Sequence, residues 1–115
     1  MRIKHFKKQK PLDAGLEDFI IETMDWDEKS NKLVSFCVLQ VYYFGETAYE
    51  IIKFDSAHGA CHVHRFYKRL DDRGEDIGRD ISAEAFNECR ADIKENWQKY
   101  KRWYAEKWLA GRAGQ

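Results

Sequence analysis

The sequence predicts an α+β fold: a four-stranded antiparallel meander sheet followed by one long C-terminal α-helix packed on one face. Three observations predict it. Between Leu16 and Lys68, runs rich in β-branched and aromatic residues alternate with short polar or glycine-containing turns. From Ala83 onward, apolar residues recur instead at spacings of three and four, the period of a helix with one buried stripe. The 115 residues suit one domain with one modest core.

Taken in order, residues 1–15 read as a basic, solvated N-terminal arm, with Arg2, Lys4, Lys7, Lys8 and Lys10 before the first acid at Asp13. Residues 16–115 form the single α+β domain. Its first two strands are Leu16 to Trp26 and Lys32 to Phe44, joined by the polar turn Asp27-Glu28-Lys29-Ser30-Asn31. In the second, Val34, Phe36, Val38, Tyr42 and Phe44 alternate with Leu33, Ser35, Cys37, Leu39, Val41 and Tyr43. Apolar residues on both faces predict a central strand covered at least in part on both sides.

Gly45-Glu46 turns the chain into a third strand, Thr47 to Asp55. Gly59 is free to take positive φ, so His58-Gly59 is expected to turn into a fourth strand, Cys61 to Lys68. On that strand His62, His64 and Phe66 share one face, and Cys61, Val63, Arg65 and Tyr67 the other. Residues 69–81, charged and holding Gly74 and Gly78, predict an exposed loop.

The helix is expected from about residue 83 to 110, with a stripe through Phe86, Cys89 or Arg90, Ile93, Trp97, Tyr100, Tyr104 and Trp108. Ser82 suits the N-cap, and Ile81 and Phe86 stand where a hydrophobic staple forms. Gly111 is a natural stop, and the sole proline, Pro11, lies outside the span. A helix roughly 40 Å long is longer than a four-stranded sheet is wide, so its end should overhang.

Twenty basic and twenty acidic residues leave no net charge, so any attraction to nucleic acid or anionic membrane must come from a local patch. Cys37, Cys61 and Cys89 are odd in number and scattered, as expected of reduced thiols in a cytoplasmic protein. No apolar run approaches the roughly 20 residues that span a bilayer, and no signal-type apolar core follows the basic start.

The segment from Asp55 to His64 holds three of the four histidines and is the main functional clue. Three readings fit it. His58, His62 and His64 with Asp55 suit a zinc ion, Asp55 serving as fourth ligand or orienting a histidine. Without metal, His62 and His64, roughly 6.5 to 7 Å apart along a strand face, suit an acid–base pair on an RNA phosphodiester. Lys53, Arg65, Lys68 and Arg69 are then candidates for binding the phosphate, Arg65 being turned away by alternation. In the third reading the four residues are structural, Asp55 and His58 holding the turn and the other histidines partly buried. Alternation turns Cys61 away from His62 and His64, which argues against a cysteine–histidine nucleophile. The helix aromatics Trp97, Tyr100, Trp103, Tyr104 and Trp108 read as core and homodimer interface, or as a stacking platform for unpaired bases among Lys94, Lys99, Lys101, Arg102 and Lys107.

The run Tyr49-Glu50-Ile51-Ile52-Lys53-Phe54-Asp55-Ser56-Ala57-His58-Gly59-Ala60-Cys61-His62-Val63-His64-Arg65, with Asp92-Ile93-Lys94-Glu95-Asn96-Trp97 in the helix, resembles an uncharacterised family of small prokaryotic proteins with an aromatic-Asp-Thr-Ala-His-Gly motif. More distantly it is similar to the TumE-like toxins of toxin–antitoxin pairs, through Phe54-Asp55, Ala57 and His58. Lys53 stands where those toxins have arginine, and no proline precedes His58. The resemblance implies a small cytoplasmic α+β protein encoded beside a helix-turn-helix antitoxin and acting on RNA, with Asp55, His58, His62 and His64 as its site.

The expectation is therefore a toxin-like, ribonuclease-type protein in which His62 and His64 exchange protons and Asp55 orients His58. The alternatives are a non-catalytic interaction or dimerisation module, and a zinc-binding protein of unknown reaction.

Overall fold

Two half-apolar surfaces, a sheet face and a helix stripe, bury each other. The computed structural model describes residues 1–56, 59–68 and 74–109. Its strands are β1 (Ile3–Pro11), β2 (Asp18–Asp27), β3 (Lys32–Phe44), β4 (Thr47–Asp55), β5 (His62–Arg65) and β6 (Gly74–Asp76), followed by the helix α1 (Ala83–Tyr104). They form one antiparallel sheet in the order β1-β2-β3-β4-β5-β6. The α+β meander with its terminal helix is as expected, but the sheet has six strands rather than four.

Both additional strands lie at the edges. Every residue of β1 except Lys10 is exposed, so alternation of apolar and polar residues, the usual mark of a strand, is missing. Backbone pairing to β2 holds it, reinforced by side chains: His5 Nδ1 lies 2.5 Å from Asp25 Oδ1, and Arg2 Nε 3.5 Å from Glu28 Oε2. Its lysines, which read as a solvated arm, are the residues that keep an edge strand from pairing with other chains. The fully exposed β6, Gly-Glu-Asp, lies inside the segment expected to be loop and pairs with β5.

α1 covers one face of the sheet, over β3 and β4. Ile20, Phe36, Val38, Ile52, Phe54 and Val63 meet Ala85, Phe86, Cys89, Ile93 and Tyr100 in the core. Ser82 caps the helix, its Oγ accepting from Ala85 N at 3.0 Å, and Ile81 and Phe86 both join the core cluster. The helix is α-helical to Tyr104 and continues as a π-helical turn, Ala105–Leu109, so the described part of the expected span is one helix in two forms. Ala110 and the stop at Gly111 lie outside the described residues. Through Tyr104 the helix still touches the sheet, since Tyr49 meets Tyr104 at 6.2 Å and Tyr67 meets Tyr100 at 5.8 Å.

Two bulges adjust which side chains reach the core. Pairing skips Val34, so Leu33 turns to the helix side opposite Trp26 while Val34 stays exposed. Pairing likewise skips Ile51, which brings Tyr49 rather than Glu50 under the helix. The other face of β3 carries Cys37, Leu39, Val41 and Tyr43, and no described element lies over it. Val41 is nonetheless buried, and Cys37, Leu39 and Tyr43 are half-buried, so the strand is screened on both sides in part.

Polar side chains pin the helix in place. Gln40, fully buried, donates from Nε2 to the Trp97 carbonyl at 2.9 Å. Lys101 Nζ reaches buried Asp18 Oδ2 at 2.8 Å. Arg90 Nε lies 2.7 Å from Glu22 Oε1, a charge contact without hydrogen-bond alignment.

Removing only the cation from such a pair leaves a buried carboxylate uncompensated. Lys101→Met is expected to cost about 2–4 kcal/mol in urea unfolding, and Asp18→Leu with Lys101→Met to recover most of it. Hydrogen bonds from His5 and Ser35 hold the Asp25 carboxyl below its ordinary value of 3.8. A carboxyl depressed in the fold stabilises it above the unfolded value, and that contribution disappears as the pH drops through the folded value. Below about pH 4 the amides of β1 are therefore expected to lose hydrogen-exchange protection before those of β3.

Candidate functional site

The face of the sheet turned away from α1 gathers the histidine cluster. Register pairs Lys53 with His64 and Asp55 with His62, so these four side chains project from one open face. Ser56 fixes the end of β4 just before the turn: its Oγ accepts from Phe36 N at 2.7 Å and its own N–H donates to Phe36 O at 3.1 Å. Gly59 has φ of 80°, the positive value expected of the turn residue.

Asp55 is the hub. Its Oδ2 lies 3.5 Å from His64 Nε2 and 3.6 Å from Lys53 Nζ. The Asp55 side chain is only 15% exposed, while those of His64 and Lys53 are 36% and 31% exposed, so the carboxylate sits beneath two accessible groups. The His64 ring stacks on Phe66, centroids 6.3 Å apart and planes 14° from parallel. Across the ladder lies Gly74, where an added Cβ would stand 3.7 Å from His64 Nδ1. A carboxylate on one side and an aromatic face on another restrict the ring's rotation while leaving it open to solvent.

His62 is half-buried on the same face, between Asp55 and Asp76 in register. Asp55 was expected to orient His58, but His58 and Arg69 lie outside the described residues. Among the described residues the imidazole beside Asp55 is that of His64. Arg65 lies on the helix face, where its Nη1 donates to Glu75 Oε2 at 2.6 Å. Lys68 follows β5 and borders a hollow with Trp103, Glu106 and Lys107. Neither joins the cluster. Among the described residues no three His, Cys, Asp or Glu side chains converge as a metal site.

Three features of the two faces were not anticipated. Cys37, paired with Asp55 in register, adjoins the cluster, and burial pushes its thiol up to about 11, with Lys53 opposing only in part. Phe66 was placed on the histidine face but given no role. Under the helix, a cavity of about 280 Å³ brings Arg65, Arg79, Glu88, Asp92 and Tyr100 together. There Tyr100 donates to Asp92 Oδ1 at 2.5 Å, and burial, then this bond, raises the phenol. Arg79 is paired with Glu88 at 2.7 Å, so the cavity's polar groups largely satisfy one another.

The helix aromatics divide in the same manner. Tyr100 is buried, Trp97 and Tyr104 pack on the core, and Trp103 keeps 38% exposure with Lys99 Nζ 5.2 Å from its ring. Most of the proposed stacking platform is thus core. No helix among the described residues is long and apolar enough to cross a membrane.

A protein-family model described as a domain of unknown function, DUF7718, matches residues 7–110. It fits the expectation of an uncharacterised family and carries no link to the toxins. Neither the curated proteins nor the solved structures contain a significant match.

None of the three thiols is set up as a nucleophile. Burial raises Cys61, whose Sγ lies 3.6 Å from the Asp80 carbonyl, and pushes Cys89 up to about 12. A thiol titrating that high is almost wholly protonated at pH 8 and reacts slowly. The native protein is expected to consume less than one equivalent of Ellman's reagent within minutes at about that pH, and all three in denaturant. Fast labelling of the folded protein would contradict this.

Proposed function

The chain belongs to the DUF7718 family, whose function is undefined, and from the geometry of its open face we propose that it is a small toxin-like protein acting on RNA by histidine acid–base chemistry. The observation that carries this reading is Asp55 Oδ2 standing 3.5 Å from His64 Nε2 and 3.6 Å from Lys53 Nζ on the face turned away from α1. A carboxylate behind an imidazole fixes its orientation and stabilises the imidazolium that forms when it takes a proton.

In the reaction, His64 takes the proton of a ribose 2′-hydroxyl and the oxygen attacks the adjacent phosphorus. The bond from phosphorus to the 5′ oxygen breaks, and His62, on the same face, gives its proton to that leaving oxygen. The products are a 2′,3′-cyclic phosphate and a 5′-hydroxyl, with no redox change and no co-reactant. Lys53 faces the charge that builds on the non-bridging phosphate oxygens. Phe66, stacked on His64, extends the platform on which a neighbouring base can rest. A helix-turn-helix antitoxin as partner rests on the resemblance of the Phe54 to His58 segment alone.

A second reading, a non-catalytic interaction or dimerisation module, draws on one observation: Trp103 is a large aromatic left 38% exposed near the end of α1. In that reading the histidines are structural, and Trp103→Ala lowers the mass seen in sedimentation.

Expression of the wild-type chain in bacteria is expected to arrest growth, and His64→Ala, at equal soluble yield, to relieve it. On a single-stranded RNA in vitro, His64→Ala and His62→Ala should each lower the cleavage rate by about 10²–10⁴-fold, the usual contribution of one acid or base. Asp55→Asn should cost less than His64→Ala, because it removes orientation and leaves the ring. If the wild type and the His62→Ala/His64→Ala variant behave alike in both assays, the enzymatic reading is wrong.

A further inference from the structure

We propose that the groove between β1 and α1 is a docking site for an acidic, amphipathic helix of a partner protein. The groove holds about 200 Å³ and is lined by Phe6, Met24 and Phe86, by three lysines of β1, and by Arg90 with its partner Glu22. It lies on the helix side of the sheet, opposite the histidine face, and is independent of the reaction proposed there.

Its shape follows from layer geometry. α1 runs along β3: Phe86 meets Phe36, the Trp97 carbonyl meets Gln40, and Lys101 stands over Tyr42. A helix is about 10 Å across and strands lie about 4.8 Å apart, so one helix covers roughly two strands. Over β1 and β2 the described cover is partial: Arg90 and Lys101 reach across to Glu22 and Asp18, Phe86 borders Met24, and Ile81 and Ala83 lie beside Trp26. A helix laid there would have its axis two strand spacings, about 9.6 Å, from that of α1, within the 8–10 Å at which helices pack. On these spacings a second helix laid beside α1 would rest over β1 and β2.

Charge specifies the occupant. On the helix side β1 presents Lys4, Phe6, Lys8 and Lys10, as its register with Trp26, Met24, Glu22 and Ile20 requires. α1 contributes Arg90 and, along the same wall, Lys94. The acids near them are committed, Glu22 to Arg90 and Glu28 to Arg2 and Lys4. In a chain whose charges sum to zero, the groove thus has Lys8 and Lys10 on one bank and Lys94, beyond the Arg90–Glu22 pair, on the other. Between them Phe6 is left 44% exposed, a large apolar side chain on an edge strand otherwise lined with lysine on that side. An apolar stripe flanked on both sides by carboxylates matches this surface, whereas a phosphate backbone would leave the apolar floor unused.

The test uses the whole chain and two synthetic helical peptides of about 18 residues, sharing one leucine stripe and differing in flanks of glutamate or lysine. Binding is read by fluorescence anisotropy and by amide shifts in the labelled protein. The glutamate peptide is expected to bind at least about tenfold more tightly than its twin, shifting Phe6, Met24 and Arg90. Lys8→Glu/Lys10→Glu, and separately Phe6→Ser, should each weaken it about tenfold or more, with the circular dichroism spectrum unchanged. Equal binding of the two peptides, no binding of either, or shifts confined to the histidine face would each overturn the proposal. So would a single-stranded RNA that shifts the groove amides at lower concentration than the glutamate peptide, or self-association of the protein that shifts the same amides.

Discussion

A single helix about 10 Å across cannot cover a sheet of six strands, and this mismatch governs the whole molecule. Among the described residues α1 supplies the large apolar surface that the sheet buries, so the core forms where it lies, over β3 and β4. The opposite face, and the β1 side of its own face, lie outside the footprint of α1. The histidine cluster occupies the first, and the cationic groove the second. Both candidate surfaces are consequences of the same shortage of covering layer.

The helix is held at that place less by apolar area, which is non-directional, than by polar groups that have only one satisfactory partner. Gln40 in the middle of β3 can reach the Trp97 carbonyl in one register only, and Asp18 and Glu22 meet Lys101 and Arg90 three turns apart on α1. Buried charge is costly, and such pairs add little net stability. Their effect here is positional: a slide of α1 by one turn would strand both carboxylates. For Asp18, burial raises the carboxyl and Lys101 opposes it only in part, the signature of a group held for location at some cost to stability.

What could be read from the sequence follows from where each element sits relative to water. β3, β4 and α1 each have a buried face, so their periodicity announced them, and Ser82 capped the helix as its side chain allows. β1 has no buried face and therefore no periodicity; its pairing is carried by backbone groups that every residue shares. The bulges at Val34 and Ile51 were invisible because alternation assumes unbroken register. At the site, alternation correctly separated His62 and His64 from Arg65, since two-residue periodicity within one short strand needs no tertiary knowledge. It could not reveal that Asp55 stands beside His64, because that contact runs diagonally between strands.

The zero net charge, which argued against any strongly charged partner, conceals a segregation set by topology. Because β1 and α1 both border the groove, lysines distant in sequence line its two banks, while the acids of β2 are drawn inward as counterions to the helix. Charge that is balanced along the chain becomes unbalanced in space. The open face differs in kind: there a half-buried carboxylate, a lysine and an imidazole share one small area, an acid standing beside two basic side chains. Two surfaces of one sheet thus differ in what they can recognise, and a variant confined to one should leave the other's chemistry intact, since the sheet and its core stand between them.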